Sequence, residues 1–272
     1  MTQTDAPLSP TAGDLTYNDY LHVPELLALQ ELRSQPPHHD EMLFIIIHQV
    51  YELWFKQVLH ELDYLIRMLV EADRMRSLHT LRRILTILKI MVAQIDILET
   101  MTPVEFLSFR PLLESASGFE SQQFREMEFV LGHKKRARLA HFPEGSDARA
   151  RLEKRFTQPT LWDAFLRFLA NLDYPIPQNL LTRDVSQPIQ PSAELQTILI
   201  EIYRDDPIAA RISERLIDLD EGLQEWRYRH VKMVERTIGA KTGTGGSTGV
   251  AYLQKTLLKP IFLDLWAIRS AL

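Results

Sequence analysis

Cysteine is absent from all 272 residues. That absence excludes disulfides, iron–sulfur clusters, thiolate-ligated haem, cysteine-rich zinc sites and haem attached through C-x-x-C-H. Long apolar runs are missing too, since stretches such as Leu43–Ile47 fall far short of a membrane span. Positive charge is not in excess: 31 Lys and Arg face 36 Asp and Glu, a net charge of -5, which leaves no electrostatic footprint for nucleic acid. Glycine is scarce at 10 residues, and half of them crowd into one segment, Gly239-Ala-Lys-Thr-Gly-Thr-Gly-Gly-Ser-Thr-Gly249. The hydrophobic share of 45% and charged share of 25% are those of a globular chain. Met1–Gly13 is polar and carries neither the basic nor the apolar region of a secretory signal. The expectation is a cytoplasmic protein acting on a small molecule, with residues 1–14 a disordered tail and 15–272 a single helical domain.

Apolar residues recur at alternating steps of four and three over most of the chain, the signature of buried helix faces. Asp40 is a plausible N-cap for a helix to about Ala72 on Phe44, His48, Tyr51, Phe55, Val58, Leu62, Leu65 and Leu69. A second helix is expected from Leu78 to about Thr100, after a short polar turn over Asp73–Ser77. Thr102-Pro103-Val104-Glu105 has the composition of a capping box with proline at the first helical position. The helix it starts sets Phe106 and Arg110 one turn apart and runs to about Ser115–Gly118, after which Phe119–Leu131 resumes helical spacing. His133–Arg155 is basic, then loop-like around Pro143–Asp147, and reads as exposed; Trp162–Leu169 reads as helix, and the four prolines between Tyr174 and Pro191 as an excursion. Pro207–Gly239 is the last long helix, and a final one from about Tyr252 should kink or break at Pro260. No segment has strand period, so the fold class is all-α, a bundle of long helices.

Of nine histidines, most are set aside by spacing. His60-Glu61 lacks the second histidine of a zincin, and no Glu-x-x-His of a bundle di-iron site occurs. His38-His39-Asp40 formally offers a His-x-Asp iron ligand pair, but beside Pro36-Pro37 a solvated loop is the plainer reading. His48 and His230 differ, because each interrupts an apolar helix stripe. An unpartnered buried imidazole costs roughly 1–3 kcal/mol, so something must satisfy it. For either alone a backbone carbonyl suffices; for two on the longest helices, one ligating haem iron and the other facing the open coordination site is the sharper reading. Arg110 is either a surface charge at a helix end or a guanidinium for a substrate carboxylate, and the residues leave this open. The glycine loop lacks the P-loop pattern and follows a helix, so it reads as a lid over a substrate, with Thr244, Ser247 and Thr248 supplying hydroxyls. A non-catalytic haem sensor and a purely structural bundle with two core histidines remain the alternatives.

Five segments together resemble one family. Phe44-Ile-Ile-Ile-His48-Gln-Val-Tyr-Glu-Leu-Trp-Phe-Lys56, Glu99-Thr-Met-Thr-Pro103 with Phe109-Arg110, Ser117-Gly-Phe-Glu-Ser-Gln-Gln-Phe-Arg125, Trp226-Arg-Tyr-Arg-His230 and Gly243-Thr-Gly-Gly-Ser247 are similar to the tryptophan 2,3-dioxygenases. The resemblance runs from about Leu15 to the C-terminus.

It implies a helical homotetramer, a dimer of dimers, with one haem b per subunit. It also implies an activity: with Fe(II) in the haem, O2 adds across the indole C2–C3 bond of L-tryptophan to give N-formyl-L-kynurenine, the first step of the kynurenine pathway. By the same resemblance His230 is the axial iron ligand, and His48 is the catalytic distal histidine that bonds the indole N–H. Arg110 grips the substrate carboxylate, Thr244 contacts the ammonium and carboxylate, and Ser117 and Gly118 line the haem pocket. Phe44 forms part of the wall around the indole. Tyr17, Tyr20 and Leu21 complete that wall from the arm of a neighbouring subunit, residues 15–40. Phe106 stands where some bacterial relatives carry tyrosine, which removes one hydroxyl from the carboxylate grip.

Overall fold

The computed structural model of the protein describes residues 14–243 and 249–272. The expected tail, Met1–Gly13, and the loop hydroxyls of Thr244, Ser247 and Thr248 lie outside the described residues. Among those described there is no strand, and no helix is long and apolar enough to cross a membrane.

Two short helices, α1 (Tyr17–Leu21) and α2 (Val23–Leu27), form an exposed arm. The spine is α3 (His39–Val70), then α4 (Arg74–Leu98) and, later in the chain, a second helix of 32 residues, α11 (Pro207–Ile238). Their apolar stripes face one another: Phe55, Leu62, Leu65 and Leu69 on α3, Leu81, Leu88 and Ile95 on α4, and Ile212, Leu216 and Leu223 on α11 are all buried. The packing of α4 against α11 and α3 is the most extensive in the fold. It is close because Gly222, in mid-α11, has no side chain; a Cβ there would stand 2.8 Å from Leu88 Cδ2. Around this spine lie α5 (Pro103–Phe109), α6 (Gln122–Val130), α7 (Asp147–Thr157), α8 (Leu161–Ala170), α9 (Gln178–Leu181), α10 (Ala193–Asp205), α12 (Val250–Gln254) and α13 (Leu263–Ala267). One hydrophobic cluster runs from Ile47 to Ile268.

Several boundaries differ from the sequence expectation, each for a local reason. Asp40 is not the N-cap of α3; that position is His38, and Asp40 lies in the first turn, where its charge still suits the helix dipole. The polar segment after Asp73 is helix instead of turn, because the Asp73 carboxylate accepts the Arg76 N–H at 2.9 Å and caps α4. The Thr102 capping box forms as expected, but α5 stops at Phe109, and Arg110–Leu113, with Pro111 inside it, tightens to a 3-10 turn. The basic stretch 133–155 is not an exposed loop. Lys134 is buried and donates to the carbonyls of Phe156 (2.9 Å) and Gln158, capping α7, while Arg138 lies buried over the Tyr252 ring. The C-terminal run breaks, one of the two outcomes expected at Pro260, into α12 and α13, with Leu258 at φ 53 between them. Asp220, fully buried on α11, holds the returning segment: its Oδ2 accepts the N–H groups of Ile261 (2.7 Å) and Phe262 (3.2 Å) and the Trp266 indole N–H (2.9 Å).

Candidate active site

The N-terminal half of α3 presents Phe44 and, one turn on, His48. The His48 Nδ1–H donates to the Phe44 carbonyl at 2.6 Å. A carbonyl can only accept, so the proton sits on Nδ1 and Nε2 keeps a free lone pair. Water reaches the ring, yet protein surrounds it closely enough that burial pushes its pKa down, against the Phe44 carbonyl and the Glu52 carboxylate, which pull it up. Aromatic rings cluster beside it. Phe44 lies 4.1 Å from the His48 ring, 5.7 Å from Phe106 and 5.6 Å from Phe109, and the last two meet edge-on at 5.5 Å. Phe109 is fully buried; the sequence analysis quoted it only beside Arg110 and gave it no role, although its three-residue spacing from Phe106 on α5 signals a shared face.

His230 comes from α11. Its ring stacks on Trp226, one turn earlier, at 5.5 Å and 14°. Neither ring nitrogen has a hydrogen-bond partner among the described residues. Burial pushes its pKa down to about 4, with the nearby His48 and Arg227 acting in the same direction. The two histidines are therefore close enough for charge on one to be felt at the other. Beneath them the Tyr51 hydroxyl donates to the Met91 carbonyl at 2.6 Å, tying α3 to α4, and burial pushes that phenol up to about 12.

Arg110 opens the 3-10 turn after α5 and donates to the backbone carbonyl of Thr242 in the glycine loop. Gly249, at the other end of that loop, approaches the Lys241 carbonyl so closely that a Cβ would lie 2.6 Å from it. Ser117 caps the short turn Gly118–Glu120, accepting the Phe119 N–H at 3.4 Å, and a Cβ on Gly118 would meet nothing within 4 Å. Phe119 packs edge-on against Tyr252 of α12 at 5.3 Å, which brings this turn beside the far end of the glycine loop. The arm residues are not brought to the site within this chain: Tyr17 and Tyr20 are 74% and 71% exposed, and Leu21 is exposed as well.

The side chains suit a porphyrin-held metal better than a protein-built cage. Among the described residues no group of three His, Cys, Asp or Glu could hold a metal ion, so a lone imidazole with free nitrogens needs the remaining ligands from a cofactor. Positive charge is also in surplus near His230. Arg125 and Arg227 share the buried Glu128, at 2.6 and 3.1 Å, and the Arg125 Nε has no partner. Such a surplus suits an acidic cofactor edge. None of these three was singled out from the sequence, although the Trp226–His230 segment carries Arg227.

Fold and site together define a class: an all-α protein with two histidines near enough to interact, one of them without a hydrogen-bond partner among the described residues, beside an aromatic cluster. The chain belongs to the tryptophan 2,3-dioxygenase family, whose model matches residues 2–149 and 178–272. It is 60% identical over 258 residues to the tryptophan 2,3-dioxygenase of Herpetosiphon aurantiacus, covering 95% of this chain and 98% of the relative. It is 52% identical over 264 residues to that of Anaeromyxobacter sp. strain K (97% and 98%). With the Myxococcus xanthus protein of that name the identity is 44% over 269 residues (97% and 92%).

Proposed function

We propose that this chain is a haem-dependent dioxygenase that converts L-tryptophan and O2 to N-formyl-L-kynurenine, breaking the indole C2–C3 bond and placing one oxygen atom on each carbon. The observation that carries this reading is His230, an imidazole kept neutral by burial and left without a hydrogen-bond partner among the described residues. When haem b is bound, its iron supplies the oxygen activation that no side chain here can provide. His230 is the residue that would hold it, with Ser117 and Gly118 along its edge.

The chain's own residues bind and orient. Arg110 exchanges the Thr242 carbonyl for the substrate carboxylate, a charge-assisted and stronger acceptor. Thr244 assists at the ammonium and carboxylate. His48, with its proton held on Nδ1, accepts the indole N–H at Nε2. It orients the ring instead of removing a proton, because an indole N–H is far too weak an acid for imidazole. Phe44, with Phe106 as its neighbour, excludes water and fixes the ring plane, so positioning is the main catalytic contribution of the protein. The exposed arm supports a homotetramer in which Tyr17, Tyr20 and Leu21 cross to a neighbouring subunit. Residues 15–272 form one domain and act in the cytoplasm.

The test is reconstitution with haem, followed by absorbance in the formylkynurenine band after adding tryptophan, ascorbate and air. The parent protein should be red and active, and His230→Ala should lose the Soret band. Full haem retention by His230→Ala, or a red but inactive parent, overturns the reading.

A further inference from the structure

The proline-bearing excursion closes over a hollow, about 270 Å³, between α8 and α10. None of its lining residues belongs to the candidate active site. Its inner wall is Trp162, Leu166 and Leu195, all buried, and Asp264 stands among them only 1% exposed. The Asp264 Oδ1 accepts the Ser192 N–H at 2.8 Å and the Gln196 side-chain amide at 2.9 Å. Its Oδ2 is buried and has no hydrogen-bond partner among the described residues. A buried carboxylate oxygen left unmatched is costly, and the native fold retains it beside an open volume.

The charge of the lining sets the chemistry of an occupant. Arg183 is the one cation among the lining residues, and it is committed to Asp163 through bonds of 2.6 and 2.8 Å and to the Gln187 carbonyl at 2.9 Å. Asp184, at the mouth, is held ionised by hydrogen bonds from Ser186 and Gln187, which keep its carboxyl below the usual range. Two acidic residues therefore line the hollow, and its one lining cation is already committed to protein acceptors. The aromatic Trp162 adds a surface that favours both a flat apolar body and positive charge.

We propose that this hollow binds a small organic ammonium ion, its apolar ring against Trp162 and its N–H directed to the Asp264 Oδ2. Burial pushes the Asp264 carboxyl up, against the Gln196 and Ser192 hydrogen bonds, which pull it down. The volume suits a single ring with a short aminoalkyl chain, at the small end of ligand pockets.

Benzylamine, titrated calorimetrically into the full haem-loaded chain, is the probe, with benzoate as the charge-reversed control. Saturable binding in roughly the millimolar range is expected for the amine, as for other fragments of this size, and none for benzoate. Asp264→Asn removes the charge and should weaken the amine about tenfold. Gln190→Trp, an exposed position at the mouth, should block entry and carries the test if the buried variant fails to fold. Equal affinity for benzoate, unchanged affinity in Gln190→Trp, or no saturable binding up to about 20 mM overturns the proposal. So does a visible spectral shift that tracks all of the heat, which would place the amine on iron instead.

Discussion

Substituting Gly249 by alanine should cost substrate binding more than stability. Gly249 has φ 58 and ψ -124, a left-handed conformation that strains residues with a Cβ. A Cβ there would also lie 2.6 Å from the Lys241 carbonyl oxygen, and 3.6 Å from the Gly243 nitrogen. Backbone strain of this kind costs about 1–3 kcal/mol, and the overlap with a carbonyl adds to it. Lys241 and Thr242 are exposed, so the chain can relieve the clash by parting the loop ends without unfolding. Parting them disorganises the loop on which the proposed carboxylate grip depends, a loss that outweighs the freeing of Arg110 from the Thr242 carbonyl. A loss of about 2 kcal/mol, expressed in binding, is roughly a 30-fold rise in KM with a smaller change in kcat. Gly239→Ala is the control, since Gly239 has φ 58 but a Cβ there meets nothing within 4 Å. Steady-state kinetics with L-tryptophan should rank the parent, Gly239→Ala and Gly249→Ala in order of rising KM. A Gly249→Ala enzyme with KM within about twofold of the parent refutes the reasoning.

Asp220→Ala should destabilise by at least about 3 kcal/mol, because three buried donors lose their acceptor together, whereas Asp220→Asn keeps an oxygen and should lose about a third as much; urea unfolding measures both, and equal costs contradict the account. His133 should make stability pH-dependent. Burial and Arg227 hold its folded pKa near about 4 against 6.5, so the unfolded chain gains a proton first. The stability is present above pH 6.5 and is lost as pH falls toward 4, amounting to about 2 kcal/mol between pH 7 and 5. His133→Gln should flatten that part of the profile, and an unchanged profile rules it out.

What the sequence made legible was whatever repeats within a few residues. The α11 stripe and its Gly239 stop, and the Thr102 capping box, are local patterns, and all three are found. The inward place of His230 follows from its spacing alone. What was missed depends on partners remote in the chain. Lys134 is buried because carbonyls 22 and 24 residues onward need a cap, which no window centred on a basic run can reveal. The α10 helix follows a proline-bearing stretch and was hidden by it. Arg110 showed its residue type to the sequence, but its contact at Thr242 lies 132 residues away. Tyr17 and Tyr20 lie on the exposed arm, and no local pattern marks what such a segment contacts.

The bond between the His48 Nδ1–H and the Phe44 carbonyl leaves the opposite edge of that imidazole with electrons to give and nothing to offer in return. Isosteres of tryptophan in which oxygen or sulfur replaces the ring nitrogen would bring lone pair against lone pair there. On the role proposed for His48, discrimination among such look-alikes rests on a single backbone contact behind the ring.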